Sequence, residues 1–247
     1  MKAYEFYRDG KKIYGEFFTP ESANEKLPVV IICHGFGGNM ENTRPYAEYF
    51  AQKGIASFIF DFIGGGRNIK SDGSMLEMTV LTEAEDLKTV LDEVRAIPVV
   101  DSEKVFLMGG SQGGYITSIV APEVQEKIRG MVNLYPGFVI PDDAEKRMNA
   151  PDYDSGHIRV MGYEISHDYN VVATSFDGYE RAGRYTGKVL MIHGTDDNIV
   201  PISYAEKALQ VYGDADLLRI PGAGHGFTGK DFEMAASAAA EFILENC

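Results

Sequence analysis

Gly109-Gly110-Ser111-Gln112-Gly113-Gly114 follows directly on the apolar run Val105-Phe106-Leu107-Met108, so a serine stands on a glycine-flanked turn. The pattern is Gly-x-Ser-x-Gly, a strand, a sharp turn and then a helix. A serine held in that strained backbone projects its hydroxyl above a sheet, and side chains at the flanking positions would strike the neighbouring strand and helix. The chain carries 27 glycines, so the motif draws its weight from context. Tyr115, Ile116, Ile119 and Val120 behind it fall at helical spacing.

Outward from this turn, short runs rich in branched residues predict buried strands at 29–33, 55–61, 105–108, 130–134, 189–193 and 217–220. Apolar residues at helical spacing predict helices at 42–53, 82–97, 112–121, 203–212 and 231–245. Thr82 and Glu85 make a capping-box pattern, and Pro98 follows the end of that helix. Residues 2–8 and 12–19 alternate around Asp9-Gly10, which predicts an antiparallel hairpin at the sheet edge. Strand and helix lengths alternate, so the fold class is α/β with a mostly parallel sheet and helices on both faces.

One stretch breaks the rhythm. Residues 137–186, about fifty, are too long for a simple connection and are read as a cap inserted into a single domain spanning 1–247. The cap is rich in acids and tyrosines, including Asp142, Asp143, Tyr163 and Tyr169, and its end, 171–184, is expected to be a helix.

The net charge of −14 repels polyanions, which argues against nucleic acid and anionic membranes as partners. No apolar run is long enough to span a bilayer and no basic-then-apolar leader opens the chain, so a cytoplasmic location is expected. Cys33 lies in a strand and Cys247 is the last residue, an unpromising pair for a disulfide. No cysteine or histidine cluster has metal-ligand spacing.

A serine hydroxyl is a weak nucleophile near neutral pH, and it needs a base to take its proton and a carboxylate to orient that base. His225, in Gly222-Ala223-Gly224-His225-Gly226-Phe227, follows the last strand and can reach across the strand ends. His34 and His193 end strands within other motifs, and His157 and His167 lie in the cap, so all four are worse placed. Asp197, in His193-Gly194-Thr195-Asp196-Asp197-Asn198, follows the strand before, with Asp196 beside it as competitor. The order Ser111, Asp197, His225, each after a strand, is the order of α/β-hydrolases. The tetrahedral oxyanion needs preorganised N–H donors. The Gln112 amide at the helix start is one candidate, and the loop His34-Gly35-Phe36-Gly37-Gly38 offers the Phe36 amide as the other.

With these residues placed, the chain resembles the α/β-hydrolase superfamily over nearly its whole length, and within it the bacterial cinnamoyl or feruloyl esterases. The shared wording is His34-Gly35-Phe36, Asp61-Phe62, Ser71-Asp72-Gly73, Met78-Thr79-Val80-Leu81 with Glu83 and Glu85-Asp86, Ser111-Gln112-Gly113-Gly114, His193-Gly194-Thr195-Asp196-Asp197 and Gly222-Ala223-Gly224-His225. Gly110 stands where those esterases carry histidine, and Gly64-Gly65-Gly66-Arg67 replaces Gly-His-Gly. The resemblance implies a serine carboxylesterase without a cofactor, whose cap shapes the acyl pocket, and it favours Asp197 as the acid. The expected substrate is a small-molecule ester, hydroxycinnamoyl esters among the candidates, with Gly35, Asp143, Tyr163 and Tyr169 as substrate-binding residues. A homodimer is left open. Rival readings are a thioesterase, lipase-like or peptidase-like hydrolase using the same triad, and a catalytically idle binder of small ligands.

Overall fold

A computed structural model describes residues 1–21 and 26–247. Its strands are β1 (Lys2–Arg8), β2 (Lys11–Phe18), β3 (Leu27–Cys33), β4 (Ala56–Phe60), β5 (Val100–Gly110), β6 (Gly130–Leu134), β7 (Ile158–Val160), β8 (Tyr163–Ile165), β9 (Lys188–Gly194) and β10 (Ala215–Ile220). Its helices are α1 (Arg44–Gln52), α2 (Val80–Arg95), α3 (Gln112–Val124), α4 (Ile140–Met148), α5 (His167–Ala173), α6 (Gly178–Ala182), α7 (Ile202–Val211) and α8 (Gly229–Glu245).

Eight strands form one sheet in the order β1-β2-β4-β3-β5-β6-β9-β10. β1 pairs antiparallel with β2 and β2 with β4, and every later neighbour is parallel. The edge hairpin turns through Asp9 and Gly10, both in left-handed backbone, the two-residue turn that suits the twist of paired strands. This is the α/β-hydrolase fold that the resemblance implied, with the mostly parallel sheet expected from the strand and helix pattern.

Successive side chains of a strand face opposite sides, so each inner strand feeds two cores. Val29, Ile31 and Cys33 of β3 join a cluster with Leu87 and Val90 of α2 and Ile116 and Ile119 of α3. Val30 and Ile32 join the other, with Phe50 of α1 and Ala239 and Ile243 of α8. The two layers of helices thus cover both faces, which is what lets a parallel sheet of nearly unbroken apolar strands form.

Three local details differ from the expectations. The capping box of α2 is made by Thr79 and Thr82, one turn earlier than Thr82 and Glu85: Thr82 N donates to Thr79 Oγ1 and Thr79 N to Thr82 Oγ1. Glu85 instead pairs with Lys88 on the helix surface. The single helix expected over 171–184 is two, because α5 ends at Ala173 and the Asp177 carboxylate caps a new helix by accepting from the Tyr179 and Glu180 amides. Between β6 and β9 the chain also builds the small antiparallel pair β7–β8, which sequence periodicity did not reveal in strands of three residues. Ile158, Ile165 and Tyr169 of this segment pack into the same cluster as α2 and α3.

Among the described residues, no helix is long and apolar enough to cross a membrane.

Candidate active site

The turn between β5 and α3 holds Ser111 at φ 53°, ψ −121°, a conformation costing a non-glycine residue about 1–3 kcal/mol. It is held by hydrogen bonds on both sides: Ser111 N donates to Leu134 O at 3.0 Å, and Ser111 O accepts from Tyr115 N and Gly137 N. Close approach explains two glycines of the motif. A Cβ on Gly109 would lie 2.3 Å from Gly113 C, and one on Gly113 would lie 2.5 Å from Cys33 O.

Ser111, Asp197 and His225 come together at the carboxyl ends of the parallel strands. His225 Nε2 is 2.9 Å from Ser111 Oγ and His225 Nδ1 is 2.7 Å from Asp197 Oδ2. Asp197 is buried, and its other oxygen accepts from the amides of Ile199 and Val200, both at 2.9 Å. Asp196 is exposed and takes a hydrogen bond only from the neighbouring Thr195 hydroxyl among the described residues. Geometry of this kind can pass a proton from a hydroxyl to an imidazole whose tautomer is fixed by a carboxylate.

Neither the Phe36 nor the Gln112 amide donates to another group among the described residues, which leaves both N–H groups available at the serine. The Phe36 loop is braced from the adjoining glycine turn, where Gly37 N donates to Gly65 O. His34 lies beneath it, fully engaged: Nδ1 donates to Gly35 O and Nε2 accepts from the Phe62 amide. Burial holds the His34 imidazole below its usual pKa, so it is neutral and serves structure.

Two cavities meet at Ser111. The larger, about 240 Å³, runs along Gly35, Thr43, Tyr46, Met108 and Tyr135; the smaller, about 60 Å³, is enclosed by Ile140, Asp143, Arg147, Val160 and Tyr169. Phe36, Met161 and Ile199 border both. Of the expected substrate contacts, Gly35 borders the first cavity, and Asp143 and Tyr169 the second. Tyr163 borders neither; its ring packs edge-on against Phe36 and under the Arg67 guanidinium, 4.6 Å away.

Several neighbours of the site escaped the sequence. Tyr135 lays its ring against His225 at 4.6 Å and fills the space beside Gly110, where the resembling esterases carry histidine. His193 Nε2 lies 3.3 Å from Asp197 Oδ2 and donates to Val200 O. Glu83, part of the wording shared with those esterases, is buried against the Gln112 side chain. The position of His193, four residues before Asp197, was a usable signal; Tyr135 and Glu83 reach the site only through the packing of separate elements.

The family model described as serine aminopeptidase, S33, matches residues 24–162, and one described as TAP-like protein matches residues 173–246. Among solved structures, Est1E from Butyrivibrio proteoclasticus with ferulic acid bound superposes with a TM-score of 0.89 at 27% identity, covering 99% of each chain. YfhR, an uncharacterized protein of Escherichia coli strain K12, is 25% identical over 244 residues, 96% of this chain and 78% of that protein. The mitochondrial palmitoyl-protein thioesterase ABHD10 of Mus musculus is 27% identical over 199 residues, 75% of this chain and 63% of that protein, so the match spans less than two thirds of it. With the first model covering more than half of its length, the chain belongs to the serine aminopeptidase S33 family of α/β-hydrolases.

Proposed function

We propose that this protein is a serine hydrolase of carboxylic esters, with Ser111 as nucleophile, His225 as base and Asp197 as the carboxylate that orients it. The observation that carries the reading is the unbroken line from Ser111 Oγ through His225 to Asp197, at 2.9 and 2.7 Å. Ser111 attacks the ester carbonyl as His225 takes its proton, and the oxyanion is met by the Phe36 and Gln112 amides, donors whose loss typically costs about 10²–10³ in kcat. The His225 imidazolium then protonates the departing alcohol, leaving an acyl-enzyme. Water attacks that intermediate with His225 again as base, and Ser111 is regenerated.

Residues 137–186 act as a cap on a single catalytic domain, closing the smaller cavity with Ile140, Asp143 and Tyr169. We infer that the acyl group points toward this cavity from the larger one it meets at Ser111 and that hydroxycinnamoyl esters are among the substrates, a reading supported by the likeness to Est1E with ferulic acid bound.

The test is labelling with a fluorophosphonate followed by peptide mapping, run beside hydrolysis of methyl ferulate, an aryl acetate, an acyl-CoA and an aminoacyl amide. Stoichiometric adduct on Ser111 and ester turnover are expected. Ser111→Ala should abolish labelling and lower kcat by about 10⁶. A folded protein that takes no adduct is a binding module, and turnover confined to the thioester or the amide replaces the ester reading.

A further inference from the structure

Behind the nucleophile, the side chain of Gln112 is gripped at both ends. Its Nε2 donates to Glu83 Oε2 at 2.7 Å and its Oε1 accepts from the Tyr169 hydroxyl at 2.6 Å. All three side chains are buried, Glu83 and Gln112 at 1% exposure and Tyr169 at 3%. They come from three different places in the chain: Glu83 from the first turn of α2, Gln112 from the first residue of α3, and Tyr169 from α5 in the inserted segment.

The grip bears on the peptide that joins Ser111 to Gln112. Its carbonyl end is fixed by Tyr115 N and Gly137 N. Its N–H end, the candidate oxyanion donor, has no hydrogen bond of its own among the described residues, and the side chain gives the residue a second anchor beyond the peptide plane that the carbonyl bonds orient. Two buried hydrogen bonds on opposite ends of one amide leave it a single rotamer, and breaking either would strand a buried polar atom. Oxyanion donors act through preorganisation, so a small displacement of this residue is felt in the transition state more than in the bound ester.

We propose that Glu83 and Tyr169 are positioning residues for the oxyanion hole, clamping Gln112 between α2 and the inserted segment so that its amide is aimed only when that segment is seated. This rests on the reading of Ser111 as nucleophile and Gln112 N–H as oxyanion donor. The clamp is distinct from substrate contact, because the Tyr169 hydroxyl is spent on Gln112 and only its ring is left to wall the acyl cavity. Burial pushes the Glu83 carboxyl well above the usual carboxylate range, and glutamine keeps its shape and the oxygen that accepts from Gln112 Nε2.

The experiment uses Glu83→Leu, Glu83→Gln and Tyr169→Phe, with steady-state kinetics on an aryl acetate too small to reach the acyl cavity wall and inhibition by a boronic acid that forms a tetrahedral adduct. Glu83→Leu and Tyr169→Phe are expected to lower kcat about 10-fold or more with KM within about twofold, and to weaken the boronic acid by the same factor. Glu83→Gln, which keeps an acceptor for Nε2, should stay within about threefold of the parent. The inference is overturned if folded variants keep the parent kcat, if only KM moves, or if Glu83→Gln is as impaired as Glu83→Leu. Should Glu83→Leu fail to fold, Tyr169→Phe decides alone. A parent protein that neither labels at Ser111 nor cleaves the acetate sinks the functional reading itself, a result separate from these.

Discussion

Asp197 and His193 meet 3.3 Å apart, carboxylate oxygen to Nε2, with both side chains sealed from solvent. The same oxygen accepts from His225 Nδ1 at 2.7 Å and the other accepts from two backbone amides, while the His193 Nε2–H is donated to Val200 O. Among the described residues nothing comparable surrounds Asp196. Asp197→Asn should therefore drop kcat by about 10⁴ through a wrong imidazole tautomer, while Asp196→Asn changes it by less than about threefold. Steady-state kinetics on an aryl ester checks both. Equal losses in the two variants would return the acid role to open competition.

The elbow makes a contrasting pair of demands on glycine. A methyl on Gly113 meets the Cys33 carbonyl oxygen at 2.5 Å, backbone that cannot yield, whereas a methyl on Gly110 meets the Tyr135 hydroxyl at 3.3 Å, the end of a movable ring. Gly113→Ala is expected to lose about 1–3 kcal/mol or to misfold, and Gly110→Ala to stay within about 1 kcal/mol of the parent. Denaturant midpoints measure the difference. A Gly113→Ala protein as stable as the parent would show that β3 can move away from the helix.

Strand ends were the legible part of this sequence. Ser111, Asp197 and His225 each sit in a motif whose local spacing fixes a turn after a strand, and parallel sheets gather such turns at one edge. Periodicity also located both layers of helices, because α2, α3 and α8 carry broad apolar faces. The segment between β6 and β9 was legible only as an interruption. Its strands are three residues long, its helices five to nine, and its one clear stop, at Asp177, is a side-chain cap that hides within a helix-like pattern. Glu83 and Tyr169 stand 29 and 57 residues from Gln112, and no local pattern reports a contact formed by packing alone.

Arg67 belongs to the turn where this chain departs from Gly-His-Gly, and it reaches the tip of the β7–β8 pair. Its Nη2 donates to Gly162 O at 3.1 Å and its guanidinium lies over the Tyr163 ring. That tip turns through Met161 and Gly162, both in left-handed backbone, and Met161 borders both cavities at the serine. Losing an exposed cation–π contact and one hydrogen bond should cost Arg67→Ala about 1 kcal/mol or less of stability. The expected effect falls on the cavity rim: KM for methyl ferulate rises about threefold or more while kcat changes less. An unchanged KM would show that the tip is held by β7–β8 pairing alone.

Two buried histidines oppose folding as pH falls. Burial lowers the pKa of His34 and of His193 from the ordinary 6.5, so each is neutral when folded and binds a proton more readily when unfolded. Their stabilising contribution is complete above about pH 6.5 and is lost as pH falls through the depressed native value, at about 1.4 kcal/mol per pH unit for each imidazole. Asp86 runs the opposite way. Burial raises its carboxyl to about 6, so the native state holds a proton that the unfolded chain has already released, and stability from this group falls as pH rises toward 6. The two effects overlap below about pH 6 in the parent, so the informative quantity is the difference between parent and His34→Gln. Glutamine can still accept the Phe62 amide that His34 Nε2 now accepts, but it does not titrate. Urea midpoints from pH 8 to 5 should fall less steeply below 6.5 in His34→Gln than in the parent, and parallel curves would mean that His34 binds its proton equally well in the folded and unfolded chain.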